Sequence, residues 1–202
     1  MRSEPAIFVV SECIYNQFCK PGCRVREDKT LEELKIYLAK YPCILVLKCP
    51  EEEIFGIFRF NETRKMLEKN SFFVKTCKNI AKEIAQRIDN YIDAIRTREG
   101  QIPNVILVGI DGSPSCGVDR QLNSDQPVPN FGRPRRVDDW KTTVEGSGII
   151  IELLKKELKS KNISFEAIGV ENLEKTMKKI EFLNQKLGRT LVQPGLNKPN
   201  FR

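Results

Sequence analysis

Three cysteines each follow a short apolar run, and this placement is the feature of the chain with the clearest chemical potential. In chain order they are Cys13, Cys49 and Cys116, and the runs are residues 7–10, 44–47 and 105–108. Bounded apolar runs of this length are typical of buried parallel strands. If the strands lie side by side, their carboxyl ends share one sheet edge, where open α/β proteins hold ligands. Three thiolates gathered there indicate a metal or iron–sulfur site with one coordination position left open.

Length and composition predict one globular domain. The chain has 202 residues, of which 40% are hydrophobic and 30% charged, enough for a sizeable α/β core. We expect residues 1–188 to form a single α/β domain and residues 189–202 an extended tail. The N-terminus lacks a long apolar segment, and no stretch approaches the ~20 apolar residues of a spanning helix. We therefore expect a cytoplasmic protein with no membrane part.

The charge balance is basic. A net charge of +7 arises from 34 Lys and Arg against 27 Asp and Glu. Such an excess helps to attract a phosphate-bearing substrate. The chain has no Lys/Arg block and no basic motif with interspersed aromatic residues, so a nucleic-acid partner such as thiolated tRNA is possible but has no support.

The chain has seven cysteines and no histidine. Without a secretory signal, the cysteines are not expected to form a disulfide framework. The absence of histidine excludes Ser/His and Cys/His pairs and imidazole metal ligands, so proton transfer falls to Asp, Glu, Lys, Tyr or Cys. Cys77 lies on the apolar stripe of a predicted helix over residues 72–98 and is expected to be a buried core residue.

Strands and helices alternate along the chain. We predict strands at residues 6–10, 43–47, 104–110 and 163–170. We predict helices that begin at Thr30 and end at Pro42, span residues 72–98, open at residues 146–148, and span residues 171–187. This order predicts a Rossmann-like three-layer sandwich with a mostly parallel sheet of about four strands and helices on both faces. Residues 118–143 form a loop longer than the usual limit of ~12–15 residues, which suggests a lid or a binding role.

Two short motifs carry the cysteines that follow the second and third strands. In Ser113-Pro114-Ser115-Cys116-Gly117, Pro and Gly make the backbone tightly turned, and both serines can donate hydrogen bonds to cluster sulfides or substrate. The plain alternative is an ordinary strand-to-helix loop. In Cys49-Pro50-Glu51, the carboxylate stands beside the proposed site and suits proton transfer. The alternative is an acidic first helical turn, which is the better interpretation of Glu52 and Glu53.

The first loop offers Cys13, Cys19 and Cys23. Their spacing is not Cys-x-x-Cys, so a zinc ribbon or a thioredoxin-type site is disfavoured. The coincidence of three strand ends makes Cys13 the preferred ligand of this group.

Together these segments resemble the thiouracil desulfurase family of TudS-like desulfidases over roughly residues 5–170. The segments are Ser11-x-Cys13 with Cys19, then Cys-Pro-Glu at residues 49–51, then Ser-Pro-Ser-Cys-Gly at residues 113–117. The first loop departs from the family pattern after Cys19, which indicates a divergent branch. The resemblance implies an α/β fold, a small thiolated substrate and a [4Fe-4S] cluster.

The resemblance also implies roles for individual residues. Cys13, Cys49 and Cys116 would hold the cluster, and its fourth iron would bind the sulfur of a thiolated nucleobase, nucleoside or similar small thio-compound. Glu51 would transfer protons, and Ser113 and Ser115 match the serines of the last motif. Water would replace the sulfur, which leaves as hydrosulfide.

Two other interpretations remain open. A non-catalytic iron–sulfur or zinc protein, serving as a sulfur carrier or sensor, would use Cys19 or Cys23 as a fourth ligand. A small α/β domain with incidental cysteines is the plainer alternative.

Overall fold

Four parallel strands form the central sheet of the computed structural model, which describes residues 5–20, 29–59, 62–123, 143–171 and 173–186. In chain order the strands are β1 (Ala6–Ser11), β2 (Cys43–Leu47), β3 (Asn104–Ile110), β4 (Arg120–Leu122), β5 (Thr143–Glu145) and β6 (Phe165–Val170). The helices are α1 (Glu12–Tyr15), α2 (Lys29–Leu38), α3 (Pro50–Phe55), α4 (Arg64–Lys69), α5 (Ser71–Glu99), α6 (Ile149–Ser160) and α7 (Leu173–Lys186). The central sheet has the order β2-β1-β3-β6, and all its pairs are parallel.

The apolar runs become strands covered on both faces. Every residue of β1 is buried, because β1 lies between β2 and β3. Its side chains alternate, so that Ile7 and Val9 enter one apolar cluster while Phe8 and Val10 enter the other. A strand buried in this way is an unbroken apolar run, which is why it could be predicted.

Helices α5 and α6 pack on one face of the sheet. The buried positions of α5 include Phe73, Cys77 and Ile84, at the spacing of one helical face. The helix begins where Asn70 Oδ1 accepts a hydrogen bond from Phe73 N at 3.0 Å, and it ends at Gly100 in the left-handed region. The predicted helix over 72–98 and the buried position of Cys77 are confirmed.

Helices α2 and α7 cover the opposite face. Leu31, Leu34 and Leu38 of α2 and Ile180 of α7 join the cluster that contains Phe8. Helices on both faces of a parallel sheet confirm the predicted three-layer α/β fold. Within the described residues, none of the helices is long and apolar enough to cross a membrane.

Several predicted boundaries were wrong. Helix α2 begins at Lys29, so Thr30 is not its cap, and it ends at Leu38, before Pro42. Strand β6 begins two residues later than predicted, and α7 begins at Leu173. The reason is general: end residues lack the periodic signal of an element's interior, so sequence patterns place ends poorly.

Two predicted loops contain regular structure. The polar stretch after β1 includes α1 and a 3₁₀ turn at Gln17–Cys19, where Asn16 Oδ1 accepts a hydrogen bond from Phe18 N at 3.2 Å. The described ends of the predicted loop 118–143 pair as the antiparallel strands β4 and β5. Cys23, residues 124–142 and the tail 189–202 lie outside the described residues, so the role of the loop and the domain boundaries stay predictions.

Candidate functional site

The three predicted cysteines meet at the carboxyl edge of the sheet. Because β1 lies between β2 and β3, their ends are adjacent. Cys13 lies in α1 directly after β1, Cys49 is the residue before α3, and Cys116 follows β3. One pocket is lined by Ser11, Glu12, Cys13, Leu47, Lys48, Cys49, Pro50, Ser115 and Cys116. The predicted convergence is confirmed, while the role of these sulfurs as ligands stays a prediction.

The three thiols influence one another's protonation. The Cys13 thiol donates a hydrogen bond to the Cys116 sulfur, which raises the pKa of Cys13 well above its ordinary value, and burial raises it further. The same hydrogen bond, with another from Ser113, lowers the pKa of Cys116 to about 6 against the effect of burial. Burial and then the Glu51 carboxylate raise the pKa of Cys49. The pocket therefore stabilises a thiolate at Cys116 first.

A chain of hydroxyl groups connects Cys116 to Glu51. Ser113 Oγ accepts a hydrogen bond from Cys116 N at 3.1 Å and lies 3.3 Å from Ser115 Oγ. Ser115 Oγ in turn donates to Glu51 Oε1. Glu51 and Ser115 are both buried. The predicted catalytic residues Glu51, Ser113 and Ser115 are thus brought together beside the sulfurs, although their roles stay predictions.

Asp111 fixes the backbone of the Ser-Pro-Ser-Cys-Gly turn. Its Oδ1 accepts hydrogen bonds from the amides of Val118 at 3.0 Å, Asp119 at 2.9 Å and Arg120 at 3.3 Å. Its other oxygen lies 3.5 Å from Lys179 Nζ. Because this buried carboxylate accepts hydrogen bonds from three consecutive amides, it fixes the backbone conformation of the chain that follows Cys116.

The N-terminus of α6 docks on the same turn. The amide of Ile149 donates to Pro114 O at 3.1 Å, and the amide of Ile150 donates to Ser115 O at 2.9 Å. This approach requires glycine at position 148, since a Cβ there would lie 2.4 Å from the carbonyl of Ser115. Backbone carbonyls of the motif thereby satisfy amides that the first helical turn leaves unpaired.

Two residues that were not among the predicted site residues also shape the pocket. Glu12 Oε2 accepts a hydrogen bond from Cys49 N at 2.8 Å, which joins the end of β1 to the end of β2. The Arg59 guanidinium is buried beside Cys49, with Nη2 at 3.6 Å from the Cys49 sulfur. In the sequence, Glu12 is marked only by its position next to Cys13. Arg59 lies in a stretch where apolar residues have no helical or strand spacing.

The chain matches a known protein family over most of its length. The family model described as "Putative 2-thiouracil desulfurase" matches residues 6–131, more than half of the chain. The chain belongs to this family. The matched range contains Cys13, Cys49 and Cys116 and both motifs. Comparisons with curated proteins and with solved structures gave no significant match.

In this desulfurase family member, the residues of the pocket fit an iron–sulfur group. Soft thiolates are the ligands that such clusters use, and here three come from three separate strand ends. The Ser11 hydroxyl belongs to a residue that lines this pocket, and within the described residues it is buried without a hydrogen-bond partner. An unpartnered donor in a sulfur-lined pocket suits a bound acceptor.

Cys19 lies outside this group of sulfurs and does not line the pocket. Its sulfur lies with carboxylate oxygens of Glu12 and Glu52, all three atoms being within 4.8 Å of one another. Burial, followed by these two carboxylates, raises its pKa to about 12. Cys19 is therefore not positioned as a fourth sulfur beside the other three, and Cys23 lies outside the described residues.

Proposed function

We propose that this desulfurase family member is an iron–sulfur-dependent desulfidase. Cys13, Cys49 and Cys116 hold a [4Fe-4S] cluster, and the substrate is a thiolated nucleobase, nucleoside or similar small thio-compound. The observation that supports this most is the convergence of three thiols from adjacent strand ends on one pocket. Membership of the desulfurase family supports the substrate class.

When bound, a three-thiolate cluster supplies an iron with an open position that accepts sulfur. The thiols must be deprotonated to bind it, and the low pKa of Cys116 provides the first thiolate. The more strongly protonated Cys13 and Cys49 lose their protons as they bind.

The reaction exchanges one oxygen for one sulfur. Water adds to the thiocarbonyl carbon, the carbon–sulfur bond breaks, and the products are the carbonyl compound and hydrosulfide plus a proton. Glu51, which accepts a hydrogen bond from Ser115, is the carboxylate placed to take a proton from that water. Ser115 holds the carboxylate in place, and Ser113 continues the chain to the backbone of Cys116.

The test is reconstitution with iron and sulfide in the absence of oxygen, followed by iron and acid-labile sulfide analysis and an absorption spectrum. We expect the wild-type chain to take up a cluster and the Cys13→Ala, Cys49→Ala and Cys116→Ala variants to lose it. Cys43→Ala is the matched control, because Cys43 is half-buried in β2 away from the pocket. A wild-type chain that takes up no cluster, or a triple variant that keeps it, would contradict the proposal.

Turnover is then measured as hydrosulfide release from 2-thiouracil, 4-thiouracil, a thiouridine and a thiolated tRNA. Release from a free base or nucleoside supports the proposed substrate class, and release from the tRNA alone contradicts it. A cluster or zinc ion that is lost in Cys19→Ala, without turnover of any of these compounds, would favour the carrier or sensor alternative. The cluster of Cys19, Glu12 and Glu52 gives that alternative its own candidate ligands.

A further inference from the structure

A buried guanidinium faces one of the proposed ligand sulfurs. The side chain of Arg59 is 2% exposed, and its Nη2 lies 3.6 Å from Cys49 Sγ. The same nitrogen donates to Cys19 O at 2.5 Å, and Nη1 donates to Gly56 O at 2.9 Å. These two carbonyls fix the plane of the guanidinium, so that one of its N–H groups remains directed toward the sulfur.

The guanidinium has carboxylates nearby, but one of its nitrogens lacks a hydrogen-bond partner within the described residues. Arg59 Nε lies 3.7 Å from Glu51 Oε2, beyond hydrogen-bond distance, and it is buried without a partner within the described residues. A buried cation is costly unless anions lie close to it. The nearby carboxylates are Glu51, with Oε2 at 3.7 Å, and Glu62, whose pKa is raised by burial and lowered by Arg59. An anionic metal group bound at Cys49 would add a further negative partner for the guanidinium.

Arg59 contacts both the Cys49 sulfur and the Glu51 carboxylate. Its Nη2 lies 3.6 Å from Cys49 Sγ, and its Nε lies 3.7 Å from Glu51 Oε2. One fixed cation therefore faces a proposed ligand and the proposed proton acceptor at the same time.

From this geometry we infer that Arg59 is a positioning residue that orients the Cys49 sulfur as a ligand and stabilises added negative charge on the metal group. The inference rests on the proposed function. Hydrogen bonds to ligand sulfurs raise the reduction potential of a cluster, because they favour its more negative, reduced form. Outer partners of metal ligands also contribute to metal retention.

The experiment compares Arg59→Met, Arg59→Lys and Arg64→Met after reconstitution. Met fills the buried space without charge, and Lys keeps the charge but not the fixed set of donors. Arg64 is the matched control, because it donates hydrogen bonds to Glu68, Gln121, Glu152 and the carbonyl of Ser147, but to no cysteine among the described residues. The measurements are the reduction potential of the cluster, its rate of loss to a chelator, and urea unfolding of each variant.

We expect Arg59→Met to lower the reduction potential and to speed chelator-induced loss by about tenfold or more. Arg59→Lys should restore part of both effects. Arg64→Met should be less stable in urea but keep the wild-type potential. If Arg59→Met does not fold, Arg59→Lys and Arg59→Gln provide the same comparison.

Different results would overturn the proposed function and the role of Arg59. A wild-type chain that takes up no cluster overturns the proposed function. A loaded wild-type chain whose Arg59 variants keep its potential and its resistance to the chelator overturns the role of Arg59 alone. A shift of equal size in Arg64→Met would also overturn it, because the effect would then be one of general stability.

Discussion

The Ser115 hydroxyl donates a hydrogen bond to the Glu51 carboxylate across 64 residues of sequence. Each residue belongs to a different cysteine motif, and both side chains are buried. The contact therefore joins the end of β2 to the end of β3 through the groups best suited to move a proton. The two proposed roles of the site, holding a metal group and transferring protons, can be tested separately with substitutions at these residues.

Glu51→Gln should abolish proton transfer while it preserves the site. The amide keeps the size of the side chain and can accept the Ser115 hydrogen bond, but it cannot take a proton. We expect the rate of hydrosulfide release to fall by about 100-fold or more, with wild-type iron content. Single-turnover rates and iron analysis on the same samples provide the check, and a variant that turns over at the wild-type rate would exclude Glu51 as the base.

The two serines should have different effects. Ser115→Ala leaves Glu51 without its donor, and we expect a loss of about tenfold in turnover, the size of one hydrogen bond to a charged group. Ser113→Ala removes the acceptor of the Cys116 amide, so its main effect should be faster loss of iron to a chelator. Measuring both quantities for both variants tests this assignment, and identical profiles would contradict it.

Cysteine reactivity in the metal-free chain should depend on pH through Cys116. Its pKa is lowered to about 6, so its thiolate fraction rises as the pH increases through that value and is lost below it. Cys13 and Cys49, with raised pKa values, remain thiols near neutrality. Brief iodoacetamide labelling followed by peptide mass spectrometry should find Cys116 modified first. Equal labelling of all three cysteines would show that the shared hydrogen bond does not set their acidity.

Much of this fold and the meeting of the cysteines could be predicted, because both follow from strong local patterns. Apolar runs such as residues 105–108 specify buried strands, and a parallel sheet brings the ends of neighbouring strands to one edge. The apolar stripe of α5 likewise specified a helix with Cys77 inside. The spacing of apolar residues within a segment is enough to predict a strand or a helix, whichever segment it packs against.

The residues that could not be predicted are positioned by tertiary contacts. Arg59 is fixed by the carbonyls of Gly56 and Cys19, and Glu12 by the amide of Cys49, and neither contact leaves a periodic mark in the sequence. Strands β4 and β5 have three residues each, too few for an alternating pattern to be recognised. Local patterns specify the elements of this chain, whereas long-range hydrogen bonds arrange the walls of its pocket.

Asp111→Ala should destabilise the protein strongly. The substitution leaves three amides of the turn after Cys116 without their buried acceptor, and we expect the free energy of unfolding to fall by about 3 kcal/mol. Asp119→Ala is the control, since that half-exposed carboxylate forms a surface pair with Lys179 and should cost about 1 kcal/mol or less. Urea unfolding of both variants provides the comparison, and equal losses would mean that Asp111 does not organise the turn.

Gly148→Ala should disturb the site through steric contact alone. Its φ of −65° suits any residue, but the new Cβ would lie 2.4 Å from the Ser115 carbonyl, so α6 and the motif must move apart. We expect weaker metal retention and a loss of about 1–3 kcal/mol in stability.

Gly100→Ala is the matched control for this substitution. It is strained by a φ of +68° but meets no neighbour, so we expect a loss of roughly 1–2 kcal/mol with unchanged metal retention. Chelator kinetics distinguish the two variants, and retention of iron by Gly148→Ala at the wild-type rate would contradict the steric argument.

Leu122 and Thr143 lie opposite each other in the antiparallel pair of β4 and β5. The backbone therefore leaves this pair of strands and rejoins it at neighbouring positions. Because paired strands fix both ends of residues 124–142, a change in the length of that segment is compatible with the same spacing between Cys116 and α6.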